Sequence, residues 1–260
     1  MGKGSASSSA SFWSSAAKPS AAAKQPADIY DLLEKGFISD IPLDCLAPPT
    51  KVKEGPVKCY VKRSEKNSFT MYMSGNDRVI LRAERSGTSF IIKEAIEGAE
   101  ARVLGTLVRK DAKDGYRFSS HAAAADGVMS MMSAAHQEGG GMDEMDITHG
   151  KRTLKQATVH TMTVRATSNL TRKNDEGCGG AFMLSSKLPR WNERIGSLTL
   201  NFHGRAKLAS AKNFQLRVGD SETIGVLFGK LNADTFAMDY QSPCSPVQAF
   251  ALGMCVHEWT

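Results

Sequence analysis

Long hydrophobic runs, aromatic side chains and cysteines are all scarce or missing in this sequence of 260 residues. No stretch reaches about 18 apolar residues, so no transmembrane helix is predicted. The N-terminus lacks an apolar signal core, which argues against secretion. The five cysteines form no CxxC pair and are odd in number, which is typical of thiols that serve as small apolar residues in a reducing compartment.

Catalytic and metal-binding motifs are also missing. The six histidines show no HExxH or other metal-ligand spacing, and the sequence contains neither a Walker loop nor a GxSxG motif. No cysteine can be matched with a base that would activate it as a nucleophile. The sequence therefore predicts a protein that is not an enzyme and that holds no cofactor or metal.

The positive charge is concentrated in one part of the chain. The net charge is +6, from 33 basic and 27 acidic residues. Residues 51–120 contain 15 basic and 9 acidic residues, so this segment carries the whole excess. A phosphate-bearing partner is favoured: an anionic membrane surface, a phosphorylated headgroup or nucleic acid. A solvated basic face without a partner is the alternative.

The N-terminal part of the chain has a different composition from the rest. Residues 1–26 are mostly Ser, Ala, Lys and Gly and cannot bury a core, so they are predicted to form a disordered tail. Residues 27–56 are predicted to form a short helix, capped by Asp28 and ended by Gly36, followed by a proline-rich linker. We expect this segment to pack on the domain that follows.

From Val57 onward, apolar and polar residues alternate with a period of two, which indicates strands with one buried face. Two strands begin at Val57 and Phe69. The other candidates are Arg78–Ala83, Ser89–Lys93, Arg102–Arg109, Gly115–Ser119, Thr158–Val164, Gly180–Leu184, Leu198–Phe202, Asn213–Val218, Ile224–Lys230 and Thr235–Tyr240. A mobile insertion is predicted at about residues 121–152, because Ala, Met, Ser and Gly dominate there and no period is visible.

The segment from Pro246 to Val256 is apolar on every side. Only Gln248 is polar between Val247 and Val256, and no residue is charged. A helix without a polar stripe must be enclosed, and this one is too short for a bilayer, which needs roughly 20 residues. A mainly β fold accounts for both patterns: a closed antiparallel barrel of about twelve strands around a central hydrophobic C-terminal helix, spanning residues 57–260.

One motif resembles the signature of the tubby family, Phe-x-Gly-Arg-Val-x-x-Ala-Ser-Val-Lys-Asn-Phe-Gln. The chain keeps Phe202, Gly204, Arg205, Ala209, Ser210, Lys212, Asn213, Phe214 and Gln215, and has Ala206 and Ala211 in place of two valines. Residues 228–240 and 248–251 also resemble the family. The resemblance implies the same barrel and central helix. It also implies binding of phosphatidylinositol 4,5-bisphosphate at the plasma membrane, by a cytoplasmic adaptor or signalling protein.

The resemblance implies two headgroup-binding elements. The first corresponds to the strand with Arg82 and Arg85, where Glu84 reduces the positive charge. The second corresponds to the segment that ends in Arg109 and Lys110; the family's Lys and Arg positions are Thr106 and Val108 here. Arginine suits phosphate because its planar fork donates two hydrogen bonds. In a regular strand Arg82 and Arg85 face opposite ways, so both reach one site only through a bulge or at the strand end.

Other functions remain open at this point. One is a nucleic-acid-associated regulator in the nucleus, although the strands show no clustered aromatic platform. Another is a scaffold whose lipid site is weakened by Glu84 and Thr106. A third is a scramblase-like role, for which the helix is short. Arg205 and Lys212 of the signature are interpreted as structural, because turn residues surround them. A monomer is expected, with a protein cargo as a further partner.

Overall fold

The computed structural model describes residues 44–46, 48–49, 55–64, 68–95, 101–110, 115–121, 144–155, 157–168 and 180–258. The predicted tail at 1–26 and the predicted helix after Asp28 lie outside these residues. The short 3-10 turn Asp44–Leu46 is described, and it packs against the C-terminal helix with Cys45 and Leu46 buried.

Fourteen strands are present among the described residues. They are β1 Val57–Arg63, β2 Phe69–Met73, β3 Val79–Ser86, β4 Ser89–Glu94, β5 Val103–Arg109, β6 Gly115–Ser120, β7 Glu144–Leu154, β8 Ala157–Ser168, β9 Gly180–Ser186, β10 Arg190–Asn192, β11 Ser197–Thr199, β12 Phe214–Val218, β13 Ile224–Lys230 and β14 Thr235–Tyr240. Twelve of them close into an antiparallel barrel in the order β1-β14-β13-β12-β9-β8-β7-β6-β5-β4-β3-β2. The predicted fold class is confirmed.

The barrel strands are not all the predicted ones. The predicted insertion at 121–152 is wrong at its C-terminal end, because residues 144–152 belong to β7, which pairs with β8 from Met145 to Leu154. The strand was missed because only its first half has buried apolar residues, Met145 and Ile147. Beyond them, polar residues such as His149 and Lys151 occupy the same face. Residues 122–143 lie outside the described part of the chain.

The predicted strand Leu198–Phe202 is a second correction. Only Ser197–Thr199 is extended, as β11, and it pairs with β10 in a separate two-stranded sheet rather than in the barrel. Asn201 explains the early end, because its side-chain oxygen accepts a hydrogen bond from the His203 backbone at 2.8 Å. An Asx turn of this kind competes with strand pairing.

The helix α1, Pro246–Cys255, fills the barrel, and all ten of its residues are buried. Ser245 caps its first turn: the Ser245 hydroxyl accepts from the Gln248 N–H at 3.3 Å, and the Gln248 side chain accepts from the Ser245 N–H at 3.0 Å. Gly253 is explained by crowding, because a Cβ there would collide with the Met238 side chain. No helix in the described ranges has the length and hydrophobicity to cross a bilayer.

Replacing Ser245 by alanine is expected to lower the free energy of unfolding by about 1–2 kcal/mol. The change removes the hydroxyl that satisfies a Gln248 N–H inside the barrel, where water cannot replace it. Urea unfolding measures the effect, and Ser245→Thr is the matched control because it keeps the capping oxygen. Equal stability of wild type and Ser245→Ala would show that this cap does not stabilise α1.

Candidate functional site

Arg82 projects from the outer wall of the barrel. Its neighbours Leu81 and Ala83 are buried, and successive side chains of a strand point to opposite faces. The Arg82 side chain is exposed and makes no ion pair with any residue that the structure describes. Arg82 is therefore accessible to a ligand from outside the barrel.

Strand pairing adds two lysines to this position. Arg82 lies directly opposite Lys93 on β4 and opposite Thr70 on β2, and Thr70 in turn lies opposite Lys62 on β1. Neighbouring strands are about 4.8 Å apart, so the Lys62 and Arg82 backbones are separated by about 10 Å. We call Lys62, Arg82 and Lys93 the basic row. Sequence reasoning missed both lysines, because alternation predicts only their outward direction.

Each lysine of the basic row has a neighbour that interacts with its ammonium group. The Lys93 ammonium lies 2.8 Å from a carboxylate oxygen of Glu84, whose side chain is 62% exposed, so this ion pair is open to water and weak. The Lys62 ammonium lies 5.0 Å from the ring centroid of Tyr72 and 5.5 Å from that of Tyr60. The two rings stack on each other at 4.9 Å. Arg82 is thus the least compensated cation of the row.

Arg85 does not join the basic row. A bulge interrupts β3 before Arg82, but pairing with β4 is regular from Arg82 to Ser86, so Arg82 and Arg85 face opposite sides. The Arg85 Nε donates to the Gly87 carbonyl at 3.0 Å, and its guanidinium lies 5.9 Å from the Phe90 ring centroid. Arg85 therefore lies at the end of the strand, against the Phe90 ring.

The second predicted element is also separate. Arg109 ends β5 opposite Tyr116, and β4 lies between β5 and β3. The Lys110 ammonium lies 2.6 Å from a carboxylate oxygen of Asp146, which also accepts from Arg117 at 3.2 Å. The hydrogen bond from Lys110 is the main reason why the pKa of Asp146 is lowered. Lys110 is thus already engaged by a carboxylate.

The two departures from the family pattern leave this region with less charge. Thr106 is half-buried and its hydroxyl lies 2.8 Å from a ring nitrogen of His121. Val108 is 40% exposed on the outer wall. Neither residue offers a cation to a phosphate group, so the second predicted element has less positive charge than the family pattern.

Arg205 of the signature motif donates its side-chain hydrogen bonds to other groups of the protein. Its Nε donates to both carboxylate oxygens of Asp239 at 2.9 Å, and another guanidinium nitrogen donates to Asp239 at 2.6 Å and to the Cys59 carbonyl at 2.7 Å. Lys212 donates to the His257 carbonyl at 2.9 Å, next to the end of α1. These contacts agree with the structural interpretation of the motif, because they tie its loop to the wall and to the helix.

Comparison with known proteins supports the same family. Residues 118–257, more than half of the chain, match the model of the Tub family. The chain is 43% identical over 103 residues to Tubby-like F-box protein 9 of Arabidopsis thaliana, and 47% identical over 73 residues to Tubby protein homolog 1 of Caenorhabditis elegans. It is 47% identical over 72 residues to Protein king tubby of Drosophila sechellia.

The similarity covers only part of each relative. The aligned stretches make up 34%, 28% and 27% of this chain, and 27%, 17% and 16% of the three proteins in the same order. The chain therefore spans about a quarter or less of the length of these relatives. The barrel, the enclosed helix and the family match over more than half of the sequence lead to one conclusion: the chain belongs to the Tub family.

Proposed function

We propose that this protein is a non-catalytic, tubby-type adaptor that docks on membranes by binding phosphatidylinositol 4,5-bisphosphate through the basic row. The observation that carries the proposal is the exposed Arg82, which has no ion pair among the described residues and lies between two lysines on one wall of the barrel. In this proposal the protein acts as a monomer in the cytoplasm and peripherally at the plasma membrane, where it brings a protein cargo.

The chemistry of the row suits a multiply phosphorylated ring. Arg82 can donate two parallel hydrogen bonds to one phosphate, whereas Lys62 and Lys93 act as point charges toward its neighbours. The strands hold the three backbones in fixed positions, so the conformational entropy lost when a headgroup binds is confined to the three side chains. Binding by this arrangement depends on the density of phosphate and falls as salt rises.

The basic row has few cations available to a headgroup. The Glu84 carboxylate partly neutralises Lys93. Arg109 and Lys110 lie at the end of β5 rather than beside Arg82. We therefore expect binding to depend mainly on Arg82, and to be weaker than that of a row with additional arginines. Removing the Glu84 charge would release Lys93 toward the headgroup.

Arg82→Ala is expected to weaken binding to vesicles containing phosphatidylinositol 4,5-bisphosphate by about tenfold, because one charge-assisted phosphate contact is lost. Cosedimentation at two salt concentrations measures the effect. Arg85→Ala is the matched control: it removes the same side chain from the same strand, but from the opposite face, and is expected to leave binding unchanged. Glu84→Gln is expected to strengthen binding by about twofold.

Four results would contradict the proposal. One is equal binding to phosphatidylinositol 4,5-bisphosphate vesicles and to phosphatidylserine vesicles of the same total charge. This result would mean that the wall recognises charge without headgroup selectivity. Unchanged binding of Arg82→Ala would exclude the basic row. Absence of vesicle binding together with salt-dependent, sequence-selective binding of duplex DNA would favour the nucleic-acid alternative, and absence of both would favour a scaffold. Because α1 is fully enclosed, no contact in the described residues favours a scramblase-like role.

A further inference from the structure

The loop that carries the signature motif, residues 200–213 between β11 and β12, covers part of the outer wall and leaves a cavity beneath it; we call it the signature loop. Lys58 on β1 lies opposite Asp239 on β14, which lies opposite Leu227 on β13, and Leu227 lies opposite Gln215 on β12. Asp239, Leu227 and Gln215 are buried although they face away from α1, because the loop lies over them. The cavity has a volume of about 420 Å³, which falls within the range of small-ligand sites.

The cavity has an unbalanced positive charge. Lys58, Arg205 and Asp239 all line it. The Asp239 carboxylate is engaged by the Arg205 guanidinium through three hydrogen bonds. Lys58 forms no ion pair with a described residue, and its side chain is exposed at the edge of the cavity. Two cations against one carboxylate leave one positive charge, which favours an anionic ligand.

A turn residue with a left-handed backbone lies at the same cavity. His203 has φ of 50°, in the left-handed region, and its backbone N–H donates to the Asn201 side chain at 2.8 Å. The other described non-glycine residues with positive φ, Asp77 and Lys155, lie in the connections between consecutive paired strands, where this conformation is ordinary. His203 is likewise the second residue of a hydrogen-bonded turn, in which the Arg205 N–H donates to the Phe202 carbonyl at 2.9 Å and the third residue, Gly204, has φ of 78°. This turn places His203 in the lining of the cavity.

The polar groups around the cavity also specify hydrogen-bond donors on the ligand. The Gln215 amide nitrogen donates to the Asn201 carbonyl at 2.7 Å, and the Gln241 amide nitrogen donates to the Ile224 carbonyl at 2.7 Å. Both side chains line the cavity. With the nitrogens oriented in this way, the two amide oxygens are available as acceptors, and hydroxyl groups are the donors that match them.

We propose that this cavity binds a small organic anion that carries hydroxyl groups, such as a phosphorylated polyol or a hydroxy acid. Lys58 attracts the anionic group, His203 contributes to the lining, and the glutamine amides accept from the hydroxyls. The site is independent of the proposed membrane function, because it uses none of Lys62, Arg82 and Lys93.

The test uses the full chain and three probes in isothermal titration calorimetry: sn-glycerol 3-phosphate, L-malate and inorganic phosphate. We expect saturable binding of glycerol 3-phosphate or malate, and weaker binding of inorganic phosphate, which has no carbon skeleton. Lys58→Ala and His203→Gly are each expected to lower the affinity for the organic probe by about tenfold. Glycine fits the backbone at position 203, so the loop is retained without the ring.

The matched control is Lys207→Ala, which removes an exposed lysine of the same loop that does not line this cavity. It is expected to bind the organic probe as wild type does, and His203→Gly is expected to keep its binding to phosphoinositide vesicles. Failure of both organic probes to bind, or equal binding by wild type, Lys58→Ala and His203→Gly, would overturn the proposal. Neither result would affect the basic row.

Discussion

Phe250→Ala is expected to lower the free energy of unfolding by about 3–5 kcal/mol, the largest effect of any truncation proposed for α1. Phe250 lies in the middle of the helix with no exposed surface. The space it leaves cannot collapse easily, because hydrogen-bonded strands surround the helix and cannot move inward independently. The cost therefore includes a cavity in addition to the lost burial.

Urea unfolding followed by tryptophan fluorescence measures this loss. Leu208→Ala is the control, because Leu208 is a large apolar residue with 46% of its surface exposed. We expect the control to change stability by less than about 0.5 kcal/mol. Similar stability losses for the two variants would contradict a core organised around an enclosed helix.

Arg205→Leu is expected to lower the free energy of unfolding by about 3–5 kcal/mol, because it leaves a carboxylate buried without its partner. Asp239 is 5% exposed, and Arg205 supplies its close hydrogen bonds and also holds the Cys59 carbonyl on β1. The pair therefore connects the signature loop to two strands. Its loss is also expected to loosen the loop.

The loss of stability in Arg205→Leu is expected to be greater at higher pH. Burial raises the pKa of Asp239, and the hydrogen bond and charge of Arg205 oppose that rise. Without Arg205 the folded-state pKa rises further above the unfolded value of about 3.9. A raised folded pKa means that stability is present at low pH and is lost as pH rises through the folded pKa. The variant is therefore expected to be closer to wild type near pH 5 than near pH 7.5.

Equilibrium unfolding of both proteins at the two pH values checks this expectation. The double variant Arg205→Leu/Asp239→Asn is the control, because it has no carboxylate at position 239 to titrate. We expect it to recover part of the stability and to lose the additional pH dependence. The same pH dependence in the single and double variants would exclude Asp239 as its cause.

Much of the fold was visible in local patterns. The alternation from Val57 onward predicted most barrel strands, and the uncharged segment after Pro246 predicted an enclosed helix. The pattern failed at β7, where Lys151 and His149 extend the strand beyond the apolar core. It also failed at Asn201, whose side chain turns the chain after three residues of β11.

The candidate site was predictable only in part. The outward direction of Arg82 follows from its buried neighbours, but Lys62 and Lys93 become its companions through pairing across three strand boundaries. Arg85 and Lys110 are as basic as Arg82 in the sequence. Their positions differ because β3 is regular after Arg82 and because Asp146, far along the chain, engages Lys110.

The sequence by itself determined the strand period, the apolar helix and the family, since each of these is encoded in residues that are close along the chain. Only the tertiary structure decided which cations lie side by side and that the signature loop covers a cavity. The physical reason is that strand register and loop docking depend on contacts between distant segments, and these contacts are set by closure of the barrel around α1.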